Sequence, residues 1–153
     1  MGRLDGKVAL ISGGSKNQGA AEAKLFTAEG AKVVFGDIAD EEGRAVEAEI
    51  KAAGGEADYM HLDVTSAADW QAAVVYACER FGKLDILINN AAILVPRVPV
   101  EERTEEEWDR VMAVNAKGVF LGTKTAILSM RNAGGGSIVN ISLISGIGQT
   151  LTQ

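Results

Sequence analysis

An apolar run, a glycine-rich turn and a helix follow one another from Lys7 to Glu22, and no other stretch restricts the fold as strongly. Val8 to Ile11 contains no polar residue, which predicts a strand buried on both faces. Gly13, Gly14 and Gly19 then punctuate a tight turn, and Ala20 to Glu29 has helical composition. Such a turn lets backbone approach an anion while free N–H groups at the helix N-terminus point at it. Glycine spacing alone fits a purely structural turn equally well.

The next segment adds weight to the anion reading. Lys32-Val-Val-Phe-Gly-Asp37 predicts a second strand ending in an acid, 18 residues after Gly19. A carboxylate there accepts hydrogen bonds from the adenosine ribose hydroxyls and repels a 2′-phosphate. Together, the turn and the acid point to a bound dinucleotide.

Beyond Asp37, helix and strand signals alternate at short intervals, the pattern of βα units on a parallel sheet. Asp40 to Ala53 predicts a helix stopped by Gly54-Gly55, and Ala57 to Leu62 a third strand. Ser66 and Asp69 form a candidate capping box. It opens a helix whose apolar face carries Trp70, Ala73, Val74, Ala77, Cys78 and Phe81, with Cys78 expected to be buried and inert. Ile86 to Ile88 predicts a fourth strand, Pro96 and Pro99 a loop, and Thr104 with Glu107 a second capping box. That box opens one long helix with Trp108, Val111, Met112, Val119 and Phe120 among its apolar positions, ending before Gly134. Ser137 to Ile141 predicts the fifth strand.

Composition excludes several function classes. At 153 residues the chain is long enough for one domain with a substantial core, and no linker or repeat divides it. A net charge of −6 argues against nucleic acid, whose partners carry basic patches. No apolar run reaches the roughly 20 residues needed to span a bilayer, and Met1 to Lys7 lacks the apolar core of a signal peptide. A single cysteine forms no internal disulfide, and one His with one Cys gives no dedicated zinc site. These features lead to the expectation of a cytoplasmic protein without a membrane partner or metal.

Several motifs, in order and at matching spacing, resemble the N-terminal part of the short-chain dehydrogenase/reductase family over essentially the whole chain. Ser12-Gly-Gly-Ser-Lys-Asn-Gln-Gly19 is similar to its Thr-Gly-x-x-x-Gly-x-Gly loop, Asp63-Val64 to the pair whose acid contacts the adenine amino group, and Asn89-Asn-Ala-Ala92 to its Asn-Asn-Ala-Gly. Asn115 matches the asparagine whose helix kink holds a proton-relay water. The segments His61 to Thr65 and Gly134 to Ser142 look most like bacterial secondary-alcohol dehydrogenases acting on cyclic alcohols or hydroxysteroids. The resemblance implies an α/β fold: a Rossmann-like, doubly wound parallel sheet in strand order 3-2-1-4-5, forming one NAD-binding domain over residues 1–153. It implies cofactor contacts at Gly13, Ser15, Asn17, Gln18, Gly19, Asp37, Ile38, Asp63, Val64, Asn89 and Ala91, and catalytic roles for Asn115 and Ser142. The family reaction moves a hydride between a nicotinamide and a secondary alcohol or ketone, with a tyrosine as acid or base beside a lysine and a serine holding the substrate oxygen. An unperturbed phenol titrates near 10, so a neighbouring cation is needed to make it a base at neutral pH.

The sequence departs from the family pattern at three places. The middle loop glycine is Asn17, the non-glycine residue type most tolerant of positive φ, followed by Gln18. Counting back from Gly146 puts Leu143 where the family serine stands. Ser142 beside it then faces away from the nicotinamide unless a bulge or one-residue shift turns it, because adjacent strand side chains point to opposite faces. The Tyr-x-x-x-Lys pair is absent, and family spacing would put its tyrosine just beyond Gln153. Tyr59 and Tyr76 have no lysine four residues on. The expectation is a chain cut inside the family fold, lacking its last strands, with an exposed fifth strand and an under-covered helix face around Val119 and Phe120 that favour self-association.

Three functional readings follow. The first is an NAD-dependent oxidoreductase by lineage, catalytically incomplete as it stands; the second is a non-catalytic dinucleotide-binding or self-associating module; the third is a minimal enzyme borrowing an acid or base from a partner subunit. Asp37 favours NAD over NADP. Lys16 stands where NADP-preferring members often carry a base, but it reads as a solvated loop lysine, and position 38 is Ile instead of an arginine suited to a 2′-phosphate.

Overall fold

The computed structural model describes residues 2–96 and 98–142. Five strands form one parallel sheet: β1 (Val8–Ser12), β2 (Lys32–Asp37), β3 (Glu56–His61), β4 (Ile86–Asn89) and β5 (Ser137–Asn140). Their spatial order is β3-β2-β1-β4-β5. Helices α1 (Asn17–Ala28), α2 (Asp40–Ala52) and α3 (Ala67–Phe81) alternate with the first four strands. Helices α4 (Glu105–Met112) and α5 (Gly118–Asn132) connect β4 to β5, joined by a π-helical turn at Ala113–Lys117.

Strand alternation divides the core into two layers. Leu10, Val34 and Leu87 sit side by side in register and pack under α3 and α5 with Trp70, Leu84, Leu121 and Met130. Their neighbours Ile11, Val33, Phe35 and Ile88 face the other way, against Ala20 and Ala23 of α1 and Val46 and Ile50 of α2. A sheet covered on both faces needs apolar residues at consecutive positions, which is why the uninterrupted run of β1 is buried throughout. One buried carboxylate fixes the central pairing: Asp85 accepts the Val8 N–H at 2.8 Å and is paired with Lys83 at 3.0 Å.

The structure alters several expectations from sequence. Helix α1 begins three residues early, at Asn17. Thr104 and Glu107 form a complete capping box. Ser66 accepts from the Asp69 N–H at 3.2 Å, but the Asp69 carboxylate does not return to the Ser66 N–H, which donates to Asp63 O. Aspartate is one methylene shorter than the glutamate of a full box. The long helix expected from Thr104 to Gly134 is broken by the π turn. Of its expected apolar positions, Trp108 is 62% and Phe120 59% exposed. Cys78 is half-buried at the edge of the larger core cluster instead of fully buried.

Candidate functional site

The candidate site lies at the carboxyl ends of the strands, centred between β1 and β4, where successive connections leave in opposite directions and open a crevice. The turn after β1 is shaped by close packing. A Cβ on Gly13 would stand 2.7 Å from the Ala91 Cα, one on Gly14 would stand 2.8 Å from the Phe35 side chain, and one on Gly19 would run into the Gly13 carbonyl. Gly13 has φ 70 and Asn17 φ 48, so the turn passes through the left-handed region twice, and Asn17 is the only described non-glycine residue to do so. The N-terminus of α1 receives no side-chain cap from Lys16 and has no acid in its first turn, which leaves its orphan N–H groups suited to an anion. Gln18 donates along the helix to Glu22 at 2.8 Å.

The acid at the end of β2 is held in place. Asp37 Oδ2 accepts from the Ser15 N–H at 3.3 Å and Oδ1 from the Ala39 N–H at 3.2 Å. The Ser15 hydroxyl donates to Ala39 O at 3.2 Å, binding the glycine turn to the start of α2. Ile38, next to the acid, is exposed. Beneath lies Tyr59, whose hydroxyl is 2.7 Å from Asp37 O and 2.8 Å from Asp40 Oδ1 and shares its one proton between them. Burial, and then the bond to Asp40, push this phenol well above its ordinary pKa. Tyr76 is also raised, by burial and by Asp58. Neither tyrosine is therefore a base near neutral pH. His61 Nδ1 lies 2.9 Å from Asp40 Oδ1, and that hydrogen bond raises the imidazole, while the bond from Tyr59 first and that from His61 second lower Asp40.

At the end of β3, Asp63 Oδ1 accepts from both the N–H and the hydroxyl of Thr65 at 2.8 Å, and its own N–H donates to Asp69 Oδ2 at 3.0 Å. The bonds from the Ser66 hydroxyl and the Asp63 N–H hold Asp69 below the usual carboxylate range. Val64 is buried, and its carbonyl accepts from Trp70 Nε1 at 3.0 Å. Along β4, Asn89 is buried and its amide donates inward to Asn140 Oδ1 at 2.8 Å and Thr123 Oγ1 at 3.3 Å. The Ala91 N–H donates to Ser12 Oγ at 3.2 Å. The Asn115 side chain, on the π turn, brackets Ile93: Oδ1 accepts from its N–H and Nδ2 donates to its carbonyl, both at 2.9 Å. Ser142 follows β5 and is exposed, and Leu143 and Gly146 lie outside the described residues.

The structure thus brings together the glycine turn, Asp37, Ile38 and Ala91 around the crevice. Asp63 lies one strand further out, Asn89 and Val64 support from inside, and Asn115 acts on the loop after β4. Sequence reasoning gave Ser12 and Asn90 no part beyond membership of their motifs, set Tyr59 aside as a base, and read Asp69 only as a helix cap. Ser12 Oγ receives the N–H groups of both Asn90 and Ala91, and Asn90 Nδ2 donates to the carbonyls of Ser12 and Gly13 at 3.1 Å, so the two loops form one unit. The available signal was a polar residue, Ser12, closing an otherwise apolar strand.

Among the described residues no group of three His, Cys, Asp or Glu side chains is placed to hold a metal, and no helix is long and apolar enough to cross a membrane.

Comparison with known proteins agrees with this geometry. The family model for short chain dehydrogenase matches residues 7–152. The chain is 52% identical over 150 residues to a 3-alpha-(or 20-beta)-hydroxysteroid dehydrogenase of Mycobacterium tuberculosis, covering 98% of this chain and 56% of that protein. It is 43% identical over 147 residues to a cyclopentanol dehydrogenase of Comamonas testosteroni, covering 96% and 58%. Among solved structures it superposes on NAD+-bound xylitol dehydrogenase with a TM-score of 0.91 at 31% identity, covering 95% of this chain and 56% of that one. The chain therefore spans a little over half the length of the curated relatives it matches. The fold, its strand order and the family match converge: the chain belongs to the short chain dehydrogenase family.

Proposed function

We propose that this chain forms the dinucleotide-binding half of an oxidoreductase that prefers NAD to NADP and acts on a secondary alcohol or ketone. The observation that carries this reading is the glycine turn packed against Ala91 and Phe35, ahead of an uncapped, acid-free helix N-terminus and beside Asp37. Side chains in place of those glycines would collide with Ala91, Phe35 and the Gly13 carbonyl, so the glycines keep the turn tight, and the uncapped, acid-free N-terminus of α1 leaves N–H groups that fit a pyrophosphate. Backbone from Gly13 to Gly19 would hold the pyrophosphate, Asp37 the ribose hydroxyls and Asp63 the adenine amino group. Ser15, Asn17, Gln18, Ile38, Val64, Asn89 and Ala91 complete that half-site in contact or in support. When bound, the nicotinamide supplies the hydride acceptor or donor. Asn115 orients the loop flanking the nicotinamide end, and Ser142, exposed after β5, would hold the substrate oxygen only where the backbone there turns it toward the crevice.

Named relatives that act on cyclic alcohols and hydroxysteroids support a secondary alcohol or ketone as substrate. Tyr59 and Tyr76, both with raised pKa, do not supply the general base. The chain alone is therefore expected to bind cofactor without sustained turnover. The test is calorimetric titration with NADH and NADPH, with circular dichroism on the same sample. NADH binding tighter than NADPH supports the reading. A folded chain that binds neither, or that binds NADPH tighter, overturns it. Steady turnover with a panel of alcohols and ketones would favour a base borrowed from a partner subunit.

A second reading concerns assembly. Trp108, Met112, Phe120 and Leu128 of α4 and α5 are exposed, and β5 beside them is one of the two outer strands among the described residues. Apolar helix surface and an open strand edge both favour pairing between copies. Self-association is expected by light scattering at micromolar concentration, and a clean monomer would refute it. The acidic charge and single cysteine are in keeping with a cytoplasmic setting.

A further inference from the structure

Lys16 and Glu42 form an ion pair beside the acid that ends β2. Lys16 Nζ lies 2.6 Å from Glu42 Oε1. Lys16 directly follows Ser15, whose N–H binds Asp37, so its backbone is anchored next to the proposed ribose position. Glu42 stands in the first turn of α2 with Asp40 and Glu41. The two side chains are 54% and 47% exposed. An exposed pair of this kind contributes little to folding, so its main effect is on the charge presented to a ligand. Glu42 first, and the charge of Asp37 in addition, hold the Lys16 ammonium above its ordinary pKa. One cation thus faces two carboxylates, and the balance at this corner is negative.

We propose that Glu42 is a specificity-determining residue, which holds Lys16 away from a phosphate on the adenosine 2′-hydroxyl and so adds to the rejection of NADP by Asp37. The inference rests on the dinucleotide reading of the same site. A phosphate monoester carries close to two negative charges at neutral pH, and a lysine on its flexible stem binds phosphate as a mobile point charge. With Glu42 ionised, the ammonium already has its counter-charge, and a 2′-phosphate would meet two carboxylates. With Glu42 neutral, Lys16 balances Asp37 and is free to turn toward the phosphate.

The test uses the full chain, its Glu42→Gln variant and the double variant Glu42→Gln with Lys16→Gln. Each is titrated with NADH and NADPH at low and high salt, and circular dichroism verifies the fold. At low salt, Glu42→Gln is expected to lower the ratio of NADPH to NADH dissociation constants about threefold, the scale of an exposed ion pair. The gain shrinks with added salt and disappears in the double variant. A ratio unchanged by Glu42→Gln while NADH still binds overturns the inference alone. A gain that survives loss of Lys16 also overturns it, because removal of an anion then explains the whole effect. Failure of the unmodified chain to bind either dinucleotide overturns the dinucleotide reading and this inference together.

Discussion

Replacing Trp70 with phenylalanine tests how firmly the core supports the site. Trp70 is fully buried, its ring lies against Gly122, and its Nε1 donates to the Val64 carbonyl at 3.0 Å. Phenylalanine removes that donor and leaves a buried carbonyl unpaired, at a cost of about 1–3 kcal/mol. The smaller ring also leaves a gap worth about 1 kcal/mol. The sum, about 2–4 kcal/mol, is a large share of the roughly 5–15 kcal/mol typical of a domain. At a urea slope of about 2 kcal/mol/M the midpoint should fall by about 1–2 M. Unfolding is followed by far-UV circular dichroism. Fluorescence gives an independent readout, because the variant retains only Trp108, which is exposed, and its folded emission should shift to the red. A midpoint lowered by less than about 0.3 M, equivalent to about 0.5 kcal/mol, would show that the indole is not held on Val64 as described.

Three further outcomes are expected. Gly122→Ala places a methyl 2.5 Å from Asn89 Oδ1 and 2.7 Å from the Trp70 ring. Overpacking of about 1–3 kcal/mol should outweigh a helix-propensity gain of up to about 1 kcal/mol, so the melting temperature falls, and a rise would refute the contact. Asn115→Ala removes both bonds to the Ile93 main chain and should speed hydrogen exchange at the Ile93 amide, with a stability loss of about 1–2 kcal/mol; unchanged exchange would sink the bracket. His61 is the sole histidine, so its proton resonances are unambiguous. Its midpoint should lie above the ordinary 6.5 because of Asp40, and Asp40→Asn should lower it. A raised His61 contributes fully below its ordinary value, and the contribution is lost as pH rises through the folded midpoint. A lowered Asp40 contributes above its ordinary range and loses that contribution as pH falls through its folded midpoint. A midpoint at or below 6.5 would contradict the pairing.

The sheet was legible because its signals are local. β1, β2 and β4 are built on short apolar runs that alternate with helical segments, and the family resemblance supplied the order of the strands. The loop position of Asn17 was also legible, since few residue types tolerate its backbone angle. What escaped was non-local or depended on one residue of length. The π turn has no compositional mark; the resemblance at Asn115 pointed to a kink, but not to the bonds that tie Asn115 to Ile93. The missing methylene of Asp69 turns its carboxylate from a helix cap to the Asp63 N–H, a link between α3 and the candidate site. Tyr59 reads as an ordinary strand tyrosine until the packing of β3 beside β2 sets its hydroxyl under Asp37.

The central position of β1 bears on how the chain is made. One neighbour, β2, follows closely, but the carboxylate that caps the other pairing, Asp85, is 77 residues beyond Val8. At ribosomal rates of about 5–20 residues per second, that separation is about 4–15 s of synthesis. A three-stranded unit of β1, β2 and β3 can assemble meanwhile, with the apolar edge of β1 open. During those seconds the strand destined for the middle of the sheet behaves as an edge, and it is then that the nascent chain is most exposed to mispairing and most dependent on holding factors.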